Sequence, residues 1–139
     1  MQMNLECDYA IRIVYILANA NTRLDAKTIS EKSCVSLRFS LKILRKLVMN
    51  DIVISFMGIN GGYELAKKPS EITLYDIISI IDGTYLFNRC VDSNYICSRT
   101  GKDKDCPFHR IFCTITDEVS NTLKSYTFDR FIDKNLNIE

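Results

Sequence analysis

The chain has 139 residues, 47% hydrophobic and 25% charged, which fits one folded domain with at most a small appended element. Eighteen basic against 17 acidic residues leave a formal charge of +1, so the global charge selects no partner. The charge is uneven, however: residues 1–68 carry +4 and residues 69–139 carry −3, which puts the expected docking side for a polyanion in the first half. The longest apolar run, Ala10 to Ala20, contains Arg12 and falls short of the ~20 residues a membrane span needs. The first residues lack the basic and apolar regions of a signal peptide, so a cytoplasmic protein is expected. In that reducing compartment, six cysteines point to metal or redox chemistry before a disulfide frame.

Tyr9 to Ala20 reads as a first helix, with Asp8, Arg12 and Tyr15 on its narrow polar stripe. A turn at Asn19–Arg23 leads to a short second helix, Asp25 to Lys32. Ser33-Cys34-Val35 forms the next turn, in which Cys34 is expected to be a small core residue. Ser36 caps a third helix that runs to Met49. Asp51–Phe56, the glycine-rich turn Gly58–Gly62 and Tyr63–Ala66 then form a β-hairpin. Three helices followed by a hairpin predict a winged helix-turn-helix, and the fold is mainly α. Thr73–Asp82 is a further helix, stopped by Gly83. Residues 90–105 are polar and aperiodic. Cys106 caps a long last helix, with Pro107 at its first position. This organisation predicts a DNA-binding unit over 1–82, a loop over 83–105, and a helix and tail over 106–139.

On the third helix, steps of about 100° bring Arg38, Lys42, Arg45 and Lys46 to one side, opposite Leu37, Leu41, Leu44, Leu47 and Val48. Four cations with no acid among them suit phosphates, and Arg38 lies near the helix end that reaches base edges. Solvated helix faces usually mix signs. Arg38, Phe39 and Lys42 are therefore the expected major-groove contacts, with Arg45 and Lys46 on phosphates. Gly61 and Gly62 let the wing bring backbone amides against a neighbouring groove, and they also suit a hairpin that needs positive φ.

The remaining motif is Cys90-x6-Cys97-x8-Cys106-x2-His109-x3-Cys113. It lacks the paired Cys-x-x-Cys knuckles of structural zinc. Three thiols along a flexible loop suit a larger object, such as an iron–sulfur cluster. On the last helix, Cys106, His109, Cys113 and Asp117 share a polar face. Phe108, Ile111, Phe112, Ile115, Val119 and Tyr126 form an apolar face that needs a partner. No catalytic constellation is present, and the chain is not expected to be an enzyme.

Several stretches are specific. Asp8-Tyr9-Ala10-Ile11-Arg12, Leu44-Arg45-Lys46-Leu47, the wing Gly58-Ile59-Asn60-Gly61-Gly62-Tyr63-Glu64-Leu65-Ala66 and Ile72-Thr73-Leu74-Tyr75-Asp76-Ile77-Ile78 together resemble the Rrf2 family of bacterial transcription regulators over nearly the whole chain. The resemblance implies a homodimer joined through the long helix and bound to double-stranded DNA. It also implies a repressor whose affinity is set by an iron–sulfur cluster on Cys90, Cys97 and Cys106. The fourth ligand stays open. His109 is similar to the histidine of IscR-type sensors, which hold [2Fe-2S]. Asp8 is similar to the aspartate that NsrR-type sensors donate from the partner subunit to [4Fe-4S]; its plain alternative is an ion pair with Arg12. We lean to His109 and [2Fe-2S]. The chain departs from the family at Met57, where an arginine is usual, and in its longer cysteine gaps, and from IscR-type members at Leu41, which replaces a polar residue that discriminates sequence in them. Two rival readings stand beside this one. The first is a cluster-free Rrf2-type regulator controlled by cysteine oxidation or a partner enzyme. The second is a small electron-transfer or metal-binding protein.

Overall fold

A computed structural model describes residues 2–102 and 105–132. Residues 103–104 of the expected loop and 133–139 of the expected tail lie outside the described residues. Helix α1 spans Leu5–Asn19 and starts four residues before the expected Tyr9, because Asn4 accepts a hydrogen bond from the Cys7 amide (2.8 Å) and satisfies the open first turn. Helix α2, Ala26–Ser33, is capped by Asp25, which accepts from the Thr28 amide at 2.7 Å. Helix α3 spans Leu37–Met49 and is capped by Ser36. Strands β1 (Val53–Phe56) and β2 (Gly62–Leu65) pair antiparallel, with Val53 opposite Leu65 and Phe56 opposite Gly62. Leu24, ahead of α2, adds an isolated antiparallel bridge to Tyr63. Helix α4, Leu74–Asp82, has a reciprocal cap between Thr73 and Asp76 and ends at Gly83. Helix α5 spans Pro107–Ser125. Among the described residues, five α-helices and a two-stranded wing make a winged helix-turn-helix, as the sequence predicts.

One core holds α1–α4 and the hairpin. Ala10, Ile13, Val14 and Leu17 of α1 meet Ile29, Ile43, Leu44, Leu47, Ile52, Val53, Ile72 and Ile77. Phe128 completes this core at 1% exposure, although it follows α5 in sequence. Two backbone hydrogen bonds hold it there: Phe128 N–H donates to the Ile72 carbonyl (3.0 Å), and Leu74 N–H to that of Tyr126 (3.0 Å). The chain beyond α5 thus returns to the core of α1–α4.

The turn between α2 and α3 corrects one expectation. Cys34 is exposed and is not a core residue. It occupies the left-handed region (φ 55°, ψ 39°) at the end of α2, which directs its side chain outward while Val35 fills the core.

Candidate nucleic-acid interface and thiol cleft

Helix α3 buries Ser40, Ile43, Leu44 and Leu47. Its buried stripe is therefore rotated from the predicted one: Leu37 and Leu41 are exposed, at 46% and 40%. The small Ser40 permits this rotation, because its hydroxyl donates to the Val35 carbonyl (3.4 Å) and the residue sits fully buried in the tight turn. Leu37, Arg38, Leu41, Lys42 and Arg45 together line a shallow outward groove. The reading face is thus a mixture of cations and leucines. Phe39 is half exposed, with its ring edge-on to Tyr9 at 6.1 Å.

The cation stripe is also divided. Glu6, from the first turn of α1, sets one carboxylate oxygen 2.7 Å from Lys46 Nζ and the other 3.4 Å from Lys42 Nζ. The hydrogen bond from Lys46 holds the Glu6 carboxyl below the usual carboxylate range, against a partial desolvation. Among the described residues, no acid pairs with Arg38 or Arg45. The expected absence of acid from this face fails because the acid comes from another helix, 36 and 40 residues away in sequence.

The wing is built as expected but for a different reason at one glycine. Gly62 has φ 137°, and a Cβ there would lie 2.7 Å from the Leu24 carbonyl oxygen. Gly61 does not have positive φ; a Cβ there would lie 2.5 Å from the Phe56 carbonyl oxygen, so close backbone approach excludes a side chain. Met57 and Ile59 at the tip are fully exposed. Arg23, which sequence reasoning missed, braces this wing from the loop before α2. Its guanidinium stacks 3.3 Å from the Phe56 ring centroid, pairs with Glu64 (3.3 Å) and donates to the Asn60 carbonyl (3.3 Å).

Between the segment after α4 and the start of α5, Cys90, Cys97, Cys106 and His109 line one cleft of about 490 Å³, walled by Phe108, Phe112 and Tyr95. Three local features shape it. Cys97 sits in a tight turn closed by a pair of backbone hydrogen bonds with Gly101 (2.8 and 3.0 Å). That turn aims amides at its sulfur, and Thr100 N–H first, then Arg99 N–H, lower the Cys97 thiol below its usual range. Cys106 is the N-cap of α5, so amides of the first turn face its sulfur. The His109 amide leads in lowering the Cys106 thiol, helped by Phe108 N–H and by the Arg99 guanidinium, whose Nη2 lies 2.9 Å from Sγ. Finally, the segment entering the cleft is anchored on α5: Phe87 N–H donates to Thr116 Oγ1 (3.1 Å), and the Phe87 ring packs on Phe112 at 5.2 Å.

Within the cleft, His109 also turns toward Cys113, with Nε2 3.5 Å from Cys113 Sγ one turn along α5. The other candidates lie outside it. Asp8 is paired with Arg12 at 2.7 Å, the plain alternative for that residue. Cys7 is fully buried in α1, and burial pushes its thiol up to about 11. Among the described residues, no three His, Cys, Asp or Glu side chains converge closely enough to hold a single metal ion. The cleft instead spreads three thiols around its wall, two of them biased toward thiolate, a spacing that suits a polyatomic group better than a single ion. Arg99 is a second residue the sequence did not flag, because the aperiodic segment offers no face on which to place it.

Fold and surface chemistry together define a helix-turn-helix transcriptional regulator of the DNA-binding kind. The chain belongs to the Rrf2 family: residues 3–134 match it, under the description iron-dependent transcriptional regulator. It is similar to a protein of Aquifex aeolicus named among the HTH-type transcriptional regulators, at 25% identity over 123 residues, 88% of this chain and 85% of that one. It is also similar to the HTH-type transcriptional regulator IscR of Escherichia coli, at 29% identity over 105 residues, 76% of this chain and 62% of IscR. Among solved structures, CymR, the global cysteine regulator of B. subtilis, superposes with a TM-score of 0.74 at 23% identity, covering 93% of this chain and 94% of CymR; that likeness concerns the fold. These relatives are regulators, not enzymes. Among the described residues, no helix is long and apolar enough to cross a membrane.

Proposed function

We propose that the protein is a homodimeric regulator that binds duplex DNA through α3 and the wing, and whose binding is governed by an iron–sulfur cluster held on Cys90, Cys97 and Cys106. Residues 1–82, with Phe128 packed into their core, form the reading unit, residues 83–105 the cluster loop, and α5 the dimer contact through its exposed Phe108 and Ile111. The observation that carries this reading is the gathering of three cysteines from a stretch of 17 residues around one cleft, with Cys97 and Cys106 both favoured as thiolates. His109, which lines the same cleft, is the fourth donor in this reading, and a histidine nitrogen there favours [2Fe-2S] over [4Fe-4S]. Asp8 is engaged by Arg12 within its own helix. When bound, the cluster supplies an oxidisable link between thiolates that are otherwise joined only through the loop. The chain's own residues do the rest. Amides of Arg99, Thr100 and His109 hold the thiolates, Phe108 and Phe112 shield one side of the cleft, and Phe87 ties the loop's entry to α5. Arg38 and Arg45 face outward for DNA, and the exposed Leu41 offers an apolar contact suited to a thymine methyl group.

Anaerobic purification tests this. Visible absorption is expected, together with loss of both colour and regulated DNA binding in Cys97→Ala. A Cys97→Ala protein that keeps both ends the proposal. A second reading has its own observation: the 2.9 Å contact between Arg99 and the Cys106 sulfur also activates a thiolate for oxidation. A colourless anaerobic protein whose DNA binding changes with peroxide favours that cluster-free switch.

A further inference from the structure

The clearest departure from the sequence pattern is the acid that α1 inserts beside the reading helix. Glu6 contacts both Lys42 and Lys46, and its side chain is only 21% exposed, so the carboxylate is enclosed by the helices that carry it and its partners. The turn that presents it is itself fixed. Asn4 Oδ1 caps α1 through the Cys7 amide, and Asn4 Nδ2 donates to Asp82 Oδ1 at the end of α4 (2.7 Å). A carboxylate bound by two ammonium groups has the charge and oxygen spacing of a bound phosphate. A duplex that takes Lys42 and Lys46 must displace it.

We propose that Glu6 is an internal stand-in for a DNA phosphate, holding Lys42 and Lys46 off the duplex and leaving Arg38 and Arg45 as the standing cationic contacts. This rests on the reading of α3 as the DNA-contacting helix. Glu6 therefore lowers affinity for any sequence. It also lowers the number of counterions released, because lysines paired with Glu6 neutralise fewer phosphates and so free fewer of the cations condensed on the duplex. Discrimination then falls on the residues that remain free at the groove, Arg38 and Leu41.

The test compares the full-length native protein with Glu6→Gln on a mixed-sequence duplex over a series of salt concentrations. The glutamine keeps the shape and removes the charge. Tighter binding by about tenfold at low salt is expected, with a salt slope steeper by roughly one to two. Equal or weaker binding by Glu6→Gln overturns the proposal, since Glu6 would then merely position the lysines. The same comparison in a Lys42→Gln, Lys46→Gln background is expected to show no gain; a gain that persists there overturns it too. Circular dichroism establishes that each variant keeps its helices. If the native protein and Glu6→Gln both bind the duplex without salt dependence, the DNA-contacting reading of α3 fails, and this inference fails with it.

Discussion

Replacing Phe128 with alanine tests whether the end of the chain belongs to the reading unit's core. Phe128 is 1% exposed and packed among residues of the helix-turn-helix. A phenylalanine side chain carries about 200 Å² of surface. At ~25 cal/mol per Å² its burial is worth about 5 kcal/mol, and the Cβ kept by alanine retains part of that. The cavity left behind adds a cost, so a loss of about 3–5 kcal/mol is expected. That is a large share of the ~5–15 kcal/mol that typically separates a folded domain from its unfolded state. Urea unfolding followed by circular dichroism reads it directly. With a denaturant slope of about 2 kcal/mol per M, the midpoint falls by about 2 M. Protein concentration is held fixed, because an associating chain gains apparent stability by mass action. A midpoint shift below about 0.3 M would refute the packing argument, since no fully enclosed aromatic is lost that cheaply. The helix content of the folded baseline is expected to remain, because the other core residues lie within residues 10–77.

Two further outcomes follow from single residues. Cys34→Gly relieves an L-residue held at φ 55°, partly offset by the greater freedom of glycine in the unfolded chain. A gain of about 0.5–1 kcal/mol and a rise in Tm of roughly 2–4 °C are expected, and a fall in Tm contradicts the assignment of strain to that turn. In metal-free protein, the lowered thiols of Cys97 and Cys106 keep a thiolate fraction as pH falls toward neutrality, whereas Cys7, near 11 and buried, stays protonated. Alkylation at pH 7 mapped by mass spectrometry is therefore expected at Cys97 and Cys106, with Cys7 modified only after unfolding. Equal labelling of Cys7 in the native protein would count against its burial.

Local chemistry made much of this protein legible from its residues. Ser36, Asp25 and Thr73 satisfy open helix amides within three residues of themselves, so α2, α3 and α4 begin where the sequence places them. The hairpin follows from glycines whose positions admit no side chain, and the cysteine spacing marks a segment that gathers around one cleft. These features depend on neighbours along the chain, where spacing and geometry are tied together. What the tertiary structure alone decided are encounters between distant segments. The rotation of α3 that exposes Leu41, the return of Phe128 to the core, the bracing of the wing by Arg23 and the approach of Glu6 to two lysines each depend on how helices pack. Periodicity gives a helix a polar side and an apolar side. It does not say which acid of another helix will face that polar side, because that is fixed by the crossing of the two axes, to which the whole core contributes.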